Sequence, residues 1–160
     1  MPRMSFNPRN PRFIATLVSD IEEGLVLAIG LLSGLAIAGI SDETIVLAGT
    51  IFIVTGGVGA ASRFILKEAY ASEPMEGSIV QGGILLGLSY IVAGIVPLLP
   101  YMLMPVSQAF TTALVCTFSA AFIIGLWSGH KGAAVWKSAW HMAYVGAAGS
   151  IIGAIAHAAL

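Results

Sequence analysis

The chain has 160 residues, of which 58 % are hydrophobic on a count that omits its 19 glycines, while Asp, Glu, Lys and Arg make up only 9 %. A soluble domain carries about 25 % charged residues to cover its core, so this composition, with a mean hydropathy of +0.93, describes an integral membrane protein. Disorder and nucleic-acid binding are excluded on the same grounds, and a disulfide scaffold is excluded by the single cysteine, Cys116.

Residues 1–20 hold Arg3, Arg9 and Arg12 among Pro2, Pro8 and Pro11, and read as a basic N-terminal arm and helix lead-in lying against anionic headgroups. Charge-free runs follow at 24–41, 44–62, 77–130 and 138–160. A bilayer crossing takes about 20 apolar residues, so the first, second and last runs supply one span each. The third is too long for one crossing and divides at Pro97-Leu-Leu-Pro-Tyr-Met-Leu-Met-Pro105, whose prolines read as a turn. The expected fold is all-α, a five-helix transmembrane bundle over 21–40, 44–66, 78–98, 107–127 and 138–159. No run alternates with period two, as a membrane barrel requires.

All seven bases fall on one side of such a bundle. Arg3, Arg9 and Arg12 precede the first span, Arg63 and Lys67 follow the second, and Lys131 and Lys137 separate the fourth from the fifth. The opposite loops hold Asp42, Glu43 and no base. The positive-inside rule places the N-terminus in the cytosol and the C-terminus outside or in a lumen. Ala36-Ile-Ala38 resembles a signal cleavage site, but three acids precede the apolar stretch where a signal peptide has bases. Compact loops and the lack of a targeting segment point to a prokaryotic plasma membrane, with an organelle membrane as the alternative. The pairs Gly30/Gly34, Gly83/Gly87, Gly125/Gly129 and Gly149/Gly153 have the small-x3-small spacing that lets helices approach closely in lipid. They suggest a tight bundle and a homodimer.

The segment richest in chemistry is Ser19-Asp-Ile-Glu-Glu-Gly24. A single helix from Phe13 to Ile40 would be about 42 Å long against a hydrocarbon layer of about 30 Å, which draws the acids into the protein. At about 100° per residue, Asp20 and Glu23 share a face with Leu27, Gly30, Gly34 and Ala38, while Glu22 points to the other side. Two carboxylates one turn apart on a packing face can bind a hard divalent cation or exchange protons. Equally, acids at a helix start cap its N–H groups and stay solvated. Spacing leaves both readings open.

After the second span, Glu68, Glu73 and Glu76 form a polar linker in which Glu73-Pro-Met-Glu76 is a loose cation site or simply a loop. His130, His141 and His157 lack metal-site spacing, and Cys116 reads as a small packing residue. The chain has no Walker loop, dinucleotide fingerprint or nucleophile–base pairing, which argues against an enzyme and a bound cofactor.

Glu23-Gly-Leu25, leading into Gly34-Leu-Ala-Ile-Ala-Gly39, resembles the first helix of the vacuolar iron transporter family, which typically reads Asp-Gly-Leu before an Ala/Gly-rich stretch. Gly56–Ala61 followed by Lys67 is similar to the end of that family's second helix. Ala93-Gly-Ile-Val-Pro-Leu-Leu-Pro-Tyr101 is similar to its third helix, which closes on a proline motif, and the Gly-rich last helix also fits. The resemblance runs from about residue 17 to 160. It implies a dimeric five-helix protein that moves Fe²⁺ or Mn²⁺ out of the cytosol in exchange for protons, with Glu23 where the family places an aspartate of its path. The family's second helix also carries an acid and a methionine, whereas residues 44–62 have neither. Its plant-type members have a long Glu-rich insertion, of which Glu68, Glu73 and Glu76 would be remnants.

The first functional expectation is therefore a reduced divalent-metal transporter. Asp20 and Glu23 bind the cation, and Glu22, Glu73 and Glu76 assist. Its partners are the lipid bilayer, the metal ion and a second copy of the chain. The rival is a non-transporting scaffold or regulatory subunit that kept the bundle and lost the path. Transport of another small solute or ion is a third option.

Overall fold

The computed structural model describes residues 7–72 and 78–128, together with the helical positions Trp140, Tyr144 and Ile155, whose side chains are exposed. The regular structure of the described residues is helical: α1 (Pro11–Ile37), α2 (Asp42–Ala69), α3 (Ile79–Leu103) and α4 (Val106–Ser128). Of the expected fifth span, 138–159, only the helical positions Trp140, Tyr144 and Ile155 are described, and the rest lies outside the described residues.

α1 begins ten residues before the expected span at 21. Its start follows local chemistry. Asn10 is the N-cap, its side chain accepts a hydrogen bond from the Arg12 backbone N–H, and Pro11 occupies the first turn, where no N–H is missed. Residues 11–20 are thus helix. They are held by Phe13, which is fully buried and meets Phe64 of α2 edge-on at 5.9 Å. The helix closes at Ala38, and Gly39 takes the left-handed conformation (φ 70°) that turns the chain toward α2.

α2 has Asp42 and Glu43 in its first turn and Lys67 in its last, both favourable to the helix dipole. α3 starts at Ser78, whose hydroxyl accepts from the Gln81 backbone N–H, and runs through Pro97 and Pro100 to Leu103. The turn expected across 97–105 is confined to Met104 and Pro105. A proline within a membrane helix is tolerated when its surroundings are protein, and Pro97 and Pro100 are both buried. Pro105 ends the helix because the residue before a proline is pushed out of the α region; Met104 is extended, at φ −148° and ψ 159°.

α2, α3 and the Val106–Leu126 part of α4 are each long and apolar enough to cross a membrane. They keep large apolar side chains on their outer faces, among them Leu47 and Val58 of α2, Val92 of α3 and Ile123 of α4. α1 differs, since its uncharged part, residues 24–37, is about 21 Å long.

Both α1 and α3 touch all three other helices, and the α2–α3 seam is the most extensive. That seam is closed by glycine against backbone. A Cβ on Gly87 would stand 2.7 Å from the Gly57 carbonyl oxygen, and one on Gly57 would stand 2.8 Å from that of Gly87. The Gly83/Gly87 pair thus packs within the chain, against α2.

The packing stripe of α1 is rotated from the one expected. Phe13, Asp20, Gly24, Leu25, Ala28, Ile29 and Leu32 are buried, whereas Leu27 is 41 % exposed and Gly30 and Gly34 are half-buried. The glycine spacing suggested the other stripe, but Gly24 is the residue that lets α1 approach α3. A Cβ there would stand 2.8 Å from the Tyr90 carbonyl oxygen.

Candidate functional site

The early start of α1 decides what its acids do. Asp20, Glu22 and Glu23 stand in the third and fourth turns, the first turn contains no acid, and Asn10 holds the cap. The capping reading is therefore set aside. Counting back about 20 residues from Ile37, the length of a bilayer crossing, includes all three carboxylates.

The side chain that answers them comes from α2. Arg63 donates from Nη1 to Glu23 Oε1 and from Nη2 to Oε2, both at 3.0 Å, in a bidentate fork. Its Nη2 also lies 3.8 Å from Asp20 Oδ1. The Asp20 side chain is only 11 % exposed, Glu23 is 35 % exposed, and Arg63 keeps 58 % of its side chain open. Lys67, one turn beyond Arg63, adds its field at Asp20. Two carboxylates therefore face two bases, with one base in direct contact. Tyr90 of α3 is buried within electrostatic reach of Asp20, Glu23 and Arg63. Its ring lies on Gly56 of α2, where any side chain would collide with it.

The cluster lies toward one end of the bundle. Glu23 stands about 21 Å from the far end of α1 and Arg63 about 31 Å from that of α2, at 1.5 Å per residue. Measured along α2 the cluster reaches the edge of a layer about 30 Å thick, and measured along α1 it lies within that layer. Between these charged groups and the near end of the bundle, Phe13, Phe64 and Leu86 form an apolar cluster joining α1, α2 and α3.

Of the expected metal ligands, Asp20 and Glu23 come together, with Arg63 between them and α2. Glu22 is half-buried on the same helix. Glu73 and Glu76 lie outside the described residues, as do His130, His141 and His157. Among the described residues, no group of three or more His, Cys, Asp or Glu side chains is placed to hold a metal. Cys116 is half-buried on α4. Glu68 is buried at 9 % exposure on α2.

Sequence reasoning missed Arg63 as a partner and Tyr90 altogether. In the sequence Arg63 serves as a marker of sidedness, although it falls inside the expected span 44–66. A base at membrane depth calls for a counter-charge, and that signal was available. Tyr90 gave none, because only packing brings its ring to the acids.

Residues 58–157 match the VIT family. The chain is 37 % identical over 73 residues to "Vacuolar iron transporter 1" of Arabidopsis thaliana, covering 44 % of this chain and 29 % of that protein. It is 33 % identical over 91 residues to "Vacuolar iron transporter" of Centaurea cyanus, covering 54 % of this chain and 37 % of the relative. The matching stretch thus spans well under half of either relative. The family match takes in Arg63 and Tyr90, whereas Asp20 and Glu23 precede it.

Proposed function

The chain belongs to the VIT family, and from that premise we propose that this integral membrane protein carries a divalent metal ion, Fe²⁺ or Mn²⁺, out of the cytosol in exchange for protons. The observation that carries the reading is the pair of carboxylates, Asp20 and Glu23, held on α1 where it packs against α2 and α3. Placing two such groups there is costly unless cations or protons answer them. Carboxylate oxygens suit Fe²⁺ and Mn²⁺, and such ions keep waters where protein ligands are few. Glu22, Glu73 and Glu76 are auxiliary ligands on this reading.

The same reading includes a fifth span over 138–159 and a cytosolic N-terminus, from the one-sided placement of all seven bases. This orientation makes the Asp20–Glu23 end the cytosolic mouth. It also includes a homodimer. The α1 face with Leu27 exposed and Gly30 and Gly34 half-buried is not fully covered among the described residues, and it is the kind of surface on which membrane helices meet. The membrane is a plasma membrane in a prokaryote and an organelle membrane otherwise.

The test is uptake into proteoliposomes of Fe²⁺, Mn²⁺, Zn²⁺ and Ca²⁺, with and without a pH gradient. Glu23→Gln keeps shape and polarity, removes the charge, and is expected to abolish uptake in a folded protein. Asp42→Asn, at the other end of the bundle, is expected to leave uptake intact. Equal uptake by wild type and Glu23→Gln would refute the site.

Two observations favour a second reading, a scaffold or regulatory subunit that does not transport. Both oxygens of Glu23 are occupied by Arg63, and residues 44–62 of α2 offer neither acid nor methionine. Wild-type protein that moves no metal under any gradient would establish this rival.

A further inference from the structure

Resting on the reading of Asp20 and Glu23 as the cation-binding pair, we propose that Arg63 is a tethered counter-cation that competes with the divalent metal for Glu23 and swings away when metal binds. Three observations carry this. The fork from Arg63 uses both carboxylate oxygens of Glu23, at 3.0 Å each, so a metal cannot use that carboxylate while the fork is intact. Asp20, by contrast, is met only at 3.8 Å and keeps its coordinating capacity. The Arg63 side chain is 58 % exposed, so the surrounding protein does not enclose the guanidinium and leaves it room to move off Glu23.

Charge balance favours exchange over addition. Asp20 and Glu23 face Arg63 and Lys67, so this carboxylate pair is already matched by two bases. A dication arriving while both bases stay in place leaves these four groups with two surplus positive charges in a partly buried site, where surplus charge is poorly screened. Departure of Arg63 lowers that surplus and frees two oxygens at once. The fork therefore keeps the pair compensated without metal and sets a threshold that metal must overcome. Guanidinium is suited to this. It stays charged at any working pH, and its planar donors match a carboxylate in a way the point charge of lysine does not.

The experiment measures Mn²⁺ binding to detergent-solubilised full chain, by the magnetic resonance signal of free Mn²⁺, in wild type, Arg63→Gln, Arg63→Lys and Glu23→Gln. Arg63→Gln is expected to bind Mn²⁺ about tenfold or more tighter, since it removes a charge-assisted fork. Arg63→Lys should fall between the two, and Glu23→Gln should lose binding. Detectable binding by Arg63→Gln alone supports the proposal. Equal affinity in Arg63→Gln and wild type, with binding still lost in Glu23→Gln, overturns the competition and leaves the acid site standing. Weaker binding in Arg63→Gln also overturns it, because Arg63 would then position the carboxylates. No Mn²⁺ binding in any protein overturns both this proposal and the site reading. Should Arg63→Gln fail to give monodisperse protein, Arg63→Lys decides, with affinity no tighter than wild type counting against competition.

Discussion

Adding one methyl group at Gly87 is expected to separate the two helices that pack most extensively. In Gly87→Ala the new Cβ stands 2.7 Å from the Gly57 carbonyl oxygen and 3.1 Å from the Ala61 Cβ, whereas ordinary contact begins at 3.4 Å. The closer neighbour is backbone, so no side-chain rotation relieves it, and α3 must move about 0.7 Å away from α2, at a cost of about 1–3 kcal/mol for overpacking. Alanine returns about 0.5–1 kcal/mol through its better helix propensity. That gain can be cancelled by comparison with Gly59→Ala on α2, where an added Cβ meets nothing within 4 Å. The difference in unfolding free energy between the two variants, measured in one detergent under one denaturant series, should therefore be about 1–3 kcal/mol, with Gly87→Ala the less stable. Gly87→Ala as stable as Gly59→Ala would show that α2 and α3 do not approach at backbone distance, and the seam described here would be wrong.

Two further expectations concern topology and assembly. A reporter active only outside the cytosol is expected to be active when fused after Leu160 and silent near Met75; equal activity at both positions would refute the five-span, cytosolic-N-terminus arrangement. Cross-linking in mild detergent is expected to trap a dimer that Gly34→Leu weakens. A dimer indifferent to that substitution would move the interface off α1, and a clean monomer would refute the dimer.

The helices that apolar runs could define were readable from the chain itself. The expected spans 44–66 and 107–127 differ by only a few residues from α2 and α4, because runs of lipid-compatible residues bounded by charges have few other solutions. The start of α1 is legible only in part: the span is expected from 21 and a longer helix from Phe13, although Asn10-Pro11 is a plain start signal. Three arginines nearby drew the segment toward a headgroup arm, and the burial of Phe13 against Phe64 that keeps it helical is a tertiary fact. The turn at 97–105 failed for a related reason: proline rules drawn from water are relaxed where neighbouring helices surround the backbone. The acid pair was visible, but its partner was not, since forty residues separate Glu23 from Arg63. The rotated stripe on α1 repeats the point. Glycine spacing tells which faces allow close approach, and the neighbour that arrives decides which one is used.

The bond between Glu23 and Arg63 also bears on how the chain enters its membrane. Alone, α1 offers about 21 Å of uncharged helix and three acids, and an aspartate at the centre of a span costs roughly 2.5–3.5 kcal/mol during insertion. The helix is therefore a poor stop for the translocation machinery until its charges are answered. The answering base lies near the end of α2, so it emerges from the ribosome only after nearly the whole of both helices has been made. Residues 38–41 are the only link between them, too short to let one settle far from the other. The unit that partitions into lipid is thus the α1–α2 hairpin, with Glu23 and Arg63 entering together as an ion pair.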